Sequence, residues 1–372
     1  VPSVDNNANT GTRARTALRI SAALGLSAAL FLSACAANET ADPADPSSST
    51  LSGTLSGKGA SSTKVAQETW IAAFQTENPD VTVNYSPDGS GAGREAFMAG
   101  GADFAGSDRA LKPEENTAGG FGGCADSSAA IDLPVYISPI AVIFNLDGVD
   151  SLNLTPDVLA RIFHGDITNW SDDAIAEINP DVKLPDLVIT VVHRSDESGT
   201  TENFTDYLAA TAPDVWTEEV SSSWPIDGGE AAKGTSGVVA AVTGGAGTIG
   251  YADASQAGSA TIAKIGPDGY FQEPTEEGAA AAVEASPLEE GRADNDIAIT
   301  IDRSATGYPL VLVSYAIACA EYKDTAQGAL VKDYLSYIAS EEGQSAAEAS
   351  AGSAPLSASL REKVLAAIDT IK

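Results

Sequence analysis

From Leu51 onward, short runs of β-branched and aromatic residues alternate with stretches whose apolar positions recur every three or four residues. That exchange of a two-residue period for a helical one predicts an α/β fold. Val65, Trp70, Ala73 and Phe74 share one helical face, which predicts a helix over 61–75. Val81, Val83 and Tyr85 alternate as a strand, and a glycine-rich turn over 89–93 leads into a short helix ending at Met98. A brief strand over 102–105 ends at Ser107 and Asp108, and 135–145 reads as a longer, buried strand. Thr155 is placed to cap a helix that has Pro156 at its first position and runs to Phe163. Further strands are expected over 187–193, 248–251 and 310–318, with a polar loop over 194–201. Helices are expected over 202–210, 234–242, 324–339 and 358–371, and the Ala/Glu-rich stretch 276–293 reads as a surface helix or insertion. No fixed-period repeat is present.

The N-terminal segment follows a different rule. Arg13, Arg15 and Arg19 precede an uncharged apolar run over 20–34. As a helix that run would span about 22 Å, short of a bilayer core of about 30 Å, so it reads as a signal peptide over 1–34. It ends in Leu32-Ser33-Ala34-Cys35, which resembles the lipobox of bacterial lipoproteins. The resemblance implies cleavage before Cys35, a lipid on that cysteine, and a location on the extracytoplasmic face of the cell membrane. Residues 35–50 are rich in Asp, Pro and Ser and carry no large apolar side chain, as expected of a disordered tether.

Composition narrows the function. The 372 residues include 20 Lys and Arg against 52 Asp and Glu, a net charge of −32. Loss of residues 1–34 would leave −34. Nucleic-acid backbones need a clustered basic surface, so no nucleic-acid partner is expected. Hydrophobic residues make up 43%, enough for a sizeable core, and the length suggests roughly two domains. With three cysteines and two histidines, neither a metal cluster nor a cofactor is expected. Once Cys35 is lipidated, Cys124 and Cys319 remain as an even pair in an oxidising setting. A disulfide between them is expected; two buried free thiols are the alternative.

Four segments share one chemical character: Ser61-Ser62, Gly89-Ser90-Gly91, Ser107-Asp108, and Arg194 through Thr200. Each lies where a strand meets a helix or just past a strand. Hydroxyls both donate and accept, and small residues let a ligand approach backbone N–H groups. Helix N-termini add unpaired donors and partial positive charge. Together these segments suggest a site for a small, tetrahedral anion beyond the carboxyl ends of the strands.

The segment Arg194-Ser195-Asp196-Glu197-Ser198-Gly199-Thr200 resembles the R-x-D-x-S-G-T signature of the PstS family, the high-affinity phosphate-binding lipoproteins of bacterial ABC importers. Residues 56–61, 85–93 and 103–108 resemble that family's other phosphate loops in the same order, and the likeness extends over roughly 51–340. It implies a two-lobe periplasmic-binding-protein fold with two crossovers and the ligand in the interlobe cleft. The lobes would be 51–140 plus 310–372, and 141–309. The disulfide partners would then share the first lobe.

The resemblance also implies roles. Ser61, the Ser62 amide and Ser90 would donate to phosphate, and Asp108 would accept from its protonated oxygen. Arg194, held by Asp196, would pair with the anion, while Ser198, Gly199 and Thr200 close the shell. Serine at position 62, often aromatic in the family, leaves the backbone donor and puts the side-chain packing role in question. A monomeric receptor that hands phosphate to membrane permease subunits is the implied function.

A carboxylate facing an anion is repulsive unless the ligand brings a proton. Phosphate carries one at neutral pH and sulfate does not, so Asp108 would reject sulfate by several kcal/mol. Arsenate and molybdate remain as further candidate oxyanions. A secreted phosphatase or other hydrolase is the competing class, but there is no G-x-S-x-G elbow and no spacing that joins His164 or His193 to a nucleophile. Both histidines read as structural, with His193 able to line the cleft. Gly53 through Gly59 lacks the spacing and the Ser/Thr of a P-loop. No enzymatic activity is expected.

Overall fold

The structure, a computed structural model, describes residues 51–372. The expected signal peptide, the expected lipidation at Cys35 and the expected tether lie outside the described residues. Its strands are β1 (Gly53–Gly59), β2 (Val81–Ser86), β3 (Phe104–Ser107), β4 (Ala130–Asn145), β5 (Asn153–Leu154), β6 (Thr190–Arg194), β7 (Glu230–Ala232), β8 (Thr248–Asp253), β9 (Thr261–Ile262), β10 (Lys264–Ile265) and β11 (Val311–Cys319). Its helices are α1 (Lys64–Glu77), α2 (Ser90–Met98), α3 (Pro156–His164), α4 (Asp173–Glu177), α5 (Gly199–Thr211), α6 (Gly234–Gly244), α7 (Glu276–Glu284), α8 (Thr325–Ala339), α9 (Glu341–Ala351) and α10 (Ala358–Asp369).

Strand β4 organises the fold. Its sixteen residues are apolar almost without interruption, and all but the last are buried. Such a run suits a strand covered on both faces rather than one with a wet side. From Ala130 to Pro139 it pairs antiparallel with β11. From Ile140 to Asn145 it pairs antiparallel with β8 instead, and β9 adds to it at Ile143 and Phe144. The resulting mixed sheet runs β2-β1-β3-β11-β4-β8-β6-β7. Where β4 changes partners, the chain also returns: the Ile140 N–H donates to the Leu310 carbonyl at 2.9 Å, just before β11. Both prolines of β4 sit where the ladder can spare a donor, Pro134 beside a register shift and Pro139 at the change of partner.

Cys124 and Cys319 form a disulfide with their Cα atoms 5.3 Å apart, closing a sequence gap of 195 residues. The even-pair reading therefore holds, and the free-thiol alternative falls.

Several local expectations are corrected. The first helix begins at Lys64 rather than residue 61, which leaves Ser61 and Ser62 in a turn. The supposed glycine turn over 89–93 is mostly helix, since α2 starts at Ser90. The polar loop over 194–201 is shorter than expected, because Ser198 caps α5 and the helix starts at Gly199. The strand expected over 187–193 is β6, starting at Thr190: the Leu187 carbonyl is taken by the Trp170 N–H, off the ladder. Of the stretch 276–293, only α7 is helical. Strand β1 and helix α9 had no sequence expectation. β1 is glycine-rich and forms by pairing with β2 and β3. Helix α9 carries Gly343, whose carbonyl accepts from the buried Trp70 indole at 2.7 Å.

Candidate functional site

Four helix N-termini meet around the residues singled out from sequence. Ser61 and Ser62 precede α1, Ser90 opens α2, Ser198 caps α5, and Gly234 opens α6. Each terminus brings N–H groups without intrahelical partners and a partial positive charge. Ser61, Ser62, Ser90, Asp108, Arg194, Ser198 and Thr200 are all buried, and so is Gly199.

Asp108 is the hub. Its Oδ1 accepts from the Ser62 hydroxyl at 2.6 Å, and its Oδ2 from the Thr200 hydroxyl at 3.1 Å. Its backbone N–H donates to Ser90 Oγ at 3.1 Å, and its carbonyl accepts from Asn203 Nδ2 at 2.7 Å. Burial raises the carboxyl above the ordinary aspartate range, opposed by the hydroxyls of Ser62, Ser314 and Thr200 and by the Arg194 charge. The Ser62 side chain, where the family often has an aromatic ring, thus serves as a hydroxyl donor to Asp108.

Arg194 ends β6 with its side chain almost wholly enclosed. Its Nε donates to Asp196 Oδ1 at 2.8 Å, and its Nη2 donates to Asp196 Oδ2. The same Asp196 Oδ1 accepts from the Gly234 N–H at 3.0 Å, so one carboxylate fixes both the guanidinium and the start of α6. Burial would raise Asp196, but the hydrogen bonds and charge of Arg194 outweigh it and hold the carboxyl below its usual range. Tyr251 completes the frame. Its hydroxyl lies 2.7 Å from Thr201 Oγ1 and accepts from the Arg194 N–H, while its ring stacks on Phe204 at 4.3 Å.

The Arg194–Thr200 segment also packs against the α2 loop. The Gly91 N–H donates to the Glu197 carbonyl at 3.1 Å. A Cβ at Gly199 would stand 2.5 Å from Asp108 Cβ and 2.7 Å from Ser90 Oγ, so only glycine permits this approach. The Ser198 hydroxyl accepts from the Thr201 N–H at 3.2 Å and is engaged as the helix cap.

Three residues with no sequence expectation belong to the same region. Thr235, at the start of α6, faces Ser61: their hydroxyls are 3.1 Å apart, and the Thr235 N–H donates to Ser61 Oγ. Gln256 donates to the carbonyls of both Ser61 and Ser62. Asn203 bridges the Asp108 and Gly199 carbonyls. Gly234-Thr235-Ser236 after a short strand was the one available local signal. The histidines serve elsewhere. His193 contacts the carbonyls of Arg194 and Gly228 and stacks on Trp224, and His164 contacts Asp166.

A sheet whose central strand serves two halves, with helix N-termini gathered beside the change of partner, defines a two-lobe solute-binding protein. Comparison with known proteins agrees. Residues 44–342 match the family model described as "PBP superfamily domain". "Phosphate-binding protein PstS 3" of Mycobacterium tuberculosis is 36% identical over 291 residues, covering 76% of this chain and 77% of that protein. "Phosphate-binding protein PstS 2" of the same organism is 33% identical over 336 residues, covering 85% and 87%. The chain belongs to the PstS family of phosphate-binding proteins within that superfamily. Two solved structures share the fold. One is the high affinity periplasmic phosphate-binding protein PfluDING bound with phosphate, with a TM-score of 0.68 and 24% identity over 84% of this chain and 93% of that one. The other is a phosphate-binding protein from Stenotrophomonas maltophilia, with a TM-score of 0.66 and 23% identity over 85% and 94%.

Proposed function

We propose that the protein is an extracytoplasmic receptor that captures inorganic phosphate between two lobes and delivers it to the permease of an ABC importer. The observation that carries this reading is that hydroxyls from the starts of α1, α2 and α5 meet at one buried residue, Asp108, while the start of α6 is tied to Ser61 and to the Asp196 carboxylate that holds Arg194. Amides, hydroxyls and a single guanidinium compensate the anion, so a net charge of −32 is no obstacle to local binding. Asp108 is the proton check: it accepts from a protonated oxygen and repels an anion that has none.

In this reading the ligand set is Ser61, Ser62, Ser90, Asp108, Arg194, Ser198, Gly199 and Thr200, with Asp196 holding Arg194. The lobes are 51–140 with 310–372, and 141–309, in keeping with the exchange of β11 for β8 along β4 at Ile140. Contacts such as Asp108 with Thr200 and Ser61 with Thr235 then join the lobes in a closed arrangement. Closure removes water from the anion and creates the surface a permease would read. The receptor acts as a monomer without catalysis, and a lipid on Cys35 tethers it to the membrane.

Isothermal titration of the purified protein with phosphate, sulfate, arsenate and molybdate tests the reading. Tight binding of phosphate with little sulfate binding is expected, and Arg194→Ala should lose roughly a hundredfold or more in phosphate affinity. Equal affinity for sulfate, or wild-type affinity in the variant, would overturn the assignment.

A further inference from the structure

Gln256 makes the most specific contact across the sheet halves that the anion-binding reading leaves unused. It is the last residue of a short 3-10 turn, Ala254–Gln256, that follows β8. Its Nε2 lies 2.7 Å from the Ser61 carbonyl and 2.9 Å from the Ser62 carbonyl, nearly two hundred residues earlier in the chain. A trans peptide is planar, with its C=O and N–H pointing in opposite directions. Drawing the Ser61 carbonyl toward Gln256 therefore aims the Ser62 N–H away from it, and drawing the Ser62 carbonyl aims the Thr63 N–H in the same way.

The turn that presents Gln256 is itself fixed. Asp253 Oδ1 accepts from the Ser255 N–H at 3.0 Å and from the Ser255 hydroxyl, capping the turn. It also accepts from the Tyr136 hydroxyl on β4 at 3.1 Å. Hydrogen bonds from β4 thus hold Asp253 and Ser255, and the next residue of the same turn, Gln256, holds the loop ahead of α1.

We infer that Gln256 is a positioning residue that couples lobe closure to the orientation of the Ser62 and Thr63 amides. With the lobes apart, the Ser61 carbonyl keeps only the 3.5 Å contact from the Lys64 N–H and the Ser62 carbonyl loses the Gln256 donor; with the lobes together, one side chain sets both peptide planes. The inference rests on the reading of Ser61 and Ser62 as an anion loop and adds a residue that touches no ligand. It separates two kinds of loss. Removing Asp108 alters which anion is accepted, whereas removing Gln256 alters how long any accepted anion stays.

The test compares Gln256→Ala, Gln256→Glu and Arg194→Ala with the wild-type protein. Stopped-flow phosphate exchange should give a dissociation rate roughly tenfold faster in Gln256→Ala, the value of one well-placed hydrogen-bond donor, with the phosphate-to-sulfate ratio unchanged. Gln256→Glu should lose more, because a carboxylate would face two carbonyl oxygens. Hydrogen exchange at saturating phosphate should be faster at the amides of residues 62–64 in both Gln256 variants. Wild-type dissociation rates and wild-type exchange at these amides would overturn the clamp. If Arg194→Ala keeps its phosphate affinity while exchange in the Gln256 variants rises, the ligand assignment falls and the clamp stands. If Arg194→Ala loses binding and the Gln256 variants match wild type in both readouts, the assignment stands and the clamp falls.

Discussion

The Ser62 hydroxyl donates to Asp108 Oδ1 at 2.6 Å, and the Thr200 hydroxyl, at the start of α5, holds the other carboxylate oxygen. Both oxygens thus have a donor before any anion is considered, which fixes the plane of the carboxyl. A carboxylate oxygen has a second lone pair, through which it can accept from a protonated ligand.

Replacing Asp108 with asparagine keeps the shape and supplies an N–H in place of an acceptor. The expected result for Asp108→Asn is a gain in sulfate affinity of roughly tenfold or more with a loss for phosphate, since the repulsive element is removed. Calorimetric titration of both anions checks it; an unchanged affinity ratio would show that discrimination lies elsewhere.

Gly199 meets Asp108 and Ser90 at distances no Cβ can share. Gly199→Ala should fold, because α5 has its own cap in Ser198 and alanine favours the helix. It should nonetheless bind phosphate about a hundredfold more weakly, by holding the loops apart. Circular dichroism and phosphate titration on the same sample measure the two outcomes separately.

Burial lifts the Asp253 carboxyl from its ordinary value of 3.8 to about 7, against the hydroxyls of Ser255 and Ser138 that favour its charged form. Between these values the folded protein holds a proton that the unfolded chain releases. Its stabilising effect is full below about pH 4 and is lost as pH rises through about 7. Asp253→Asn removes that titration while keeping an acceptor for the Ser255 N–H. Its thermal midpoint should exceed that of wild type at pH 8, by an amount on the order of 2 kcal/mol in stability, and the gap should shrink by pH 5. Scanning calorimetry at the two pH values decides it.

The disulfide closes a loop long enough for a chain-entropy contribution of up to about 5 kcal/mol. Cys124→Ser with Cys319→Ser should lower the unfolding midpoint by several degrees and leave phosphate affinity within about twofold, because neither cysteine contacts the candidate site. A matching loss of affinity would show that the bond also holds the site's geometry.

What could be read from sequence follows the range over which each residue acts. Arg194, Asp196 and Thr200 act within a few positions of one another, so their chemistry is written contiguously. Thr155 and Pro156 likewise start α3 where their types dictate. Thr235 and Gln256 gain meaning only by meeting Ser61 and Ser62 across more than 170 residues, and no local pattern marks that meeting. Strand β1 escaped for a related reason. Its sequence, Gly-Thr-Leu-Ser-Gly-Lys-Gly, has weak strand character, yet Gly57 leaves room for the Phe104 ring and Gly59 for the Gly106 backbone. Tertiary partners, not local preference, make it a strand.

The paired passage of β4 and the returning chain at Ile140 and Leu310 has a mechanical consequence. A gate hung on one pin can tilt and sag; a gate hung on two swings about a single line. If the lobes divide there, two covalent connections laced side by side would leave one soft rotation and make sliding or shearing costly. On the two-lobe reading, a bound anion would have to arrest only that one swing, so a few short contacts would be enough to latch the whole protein.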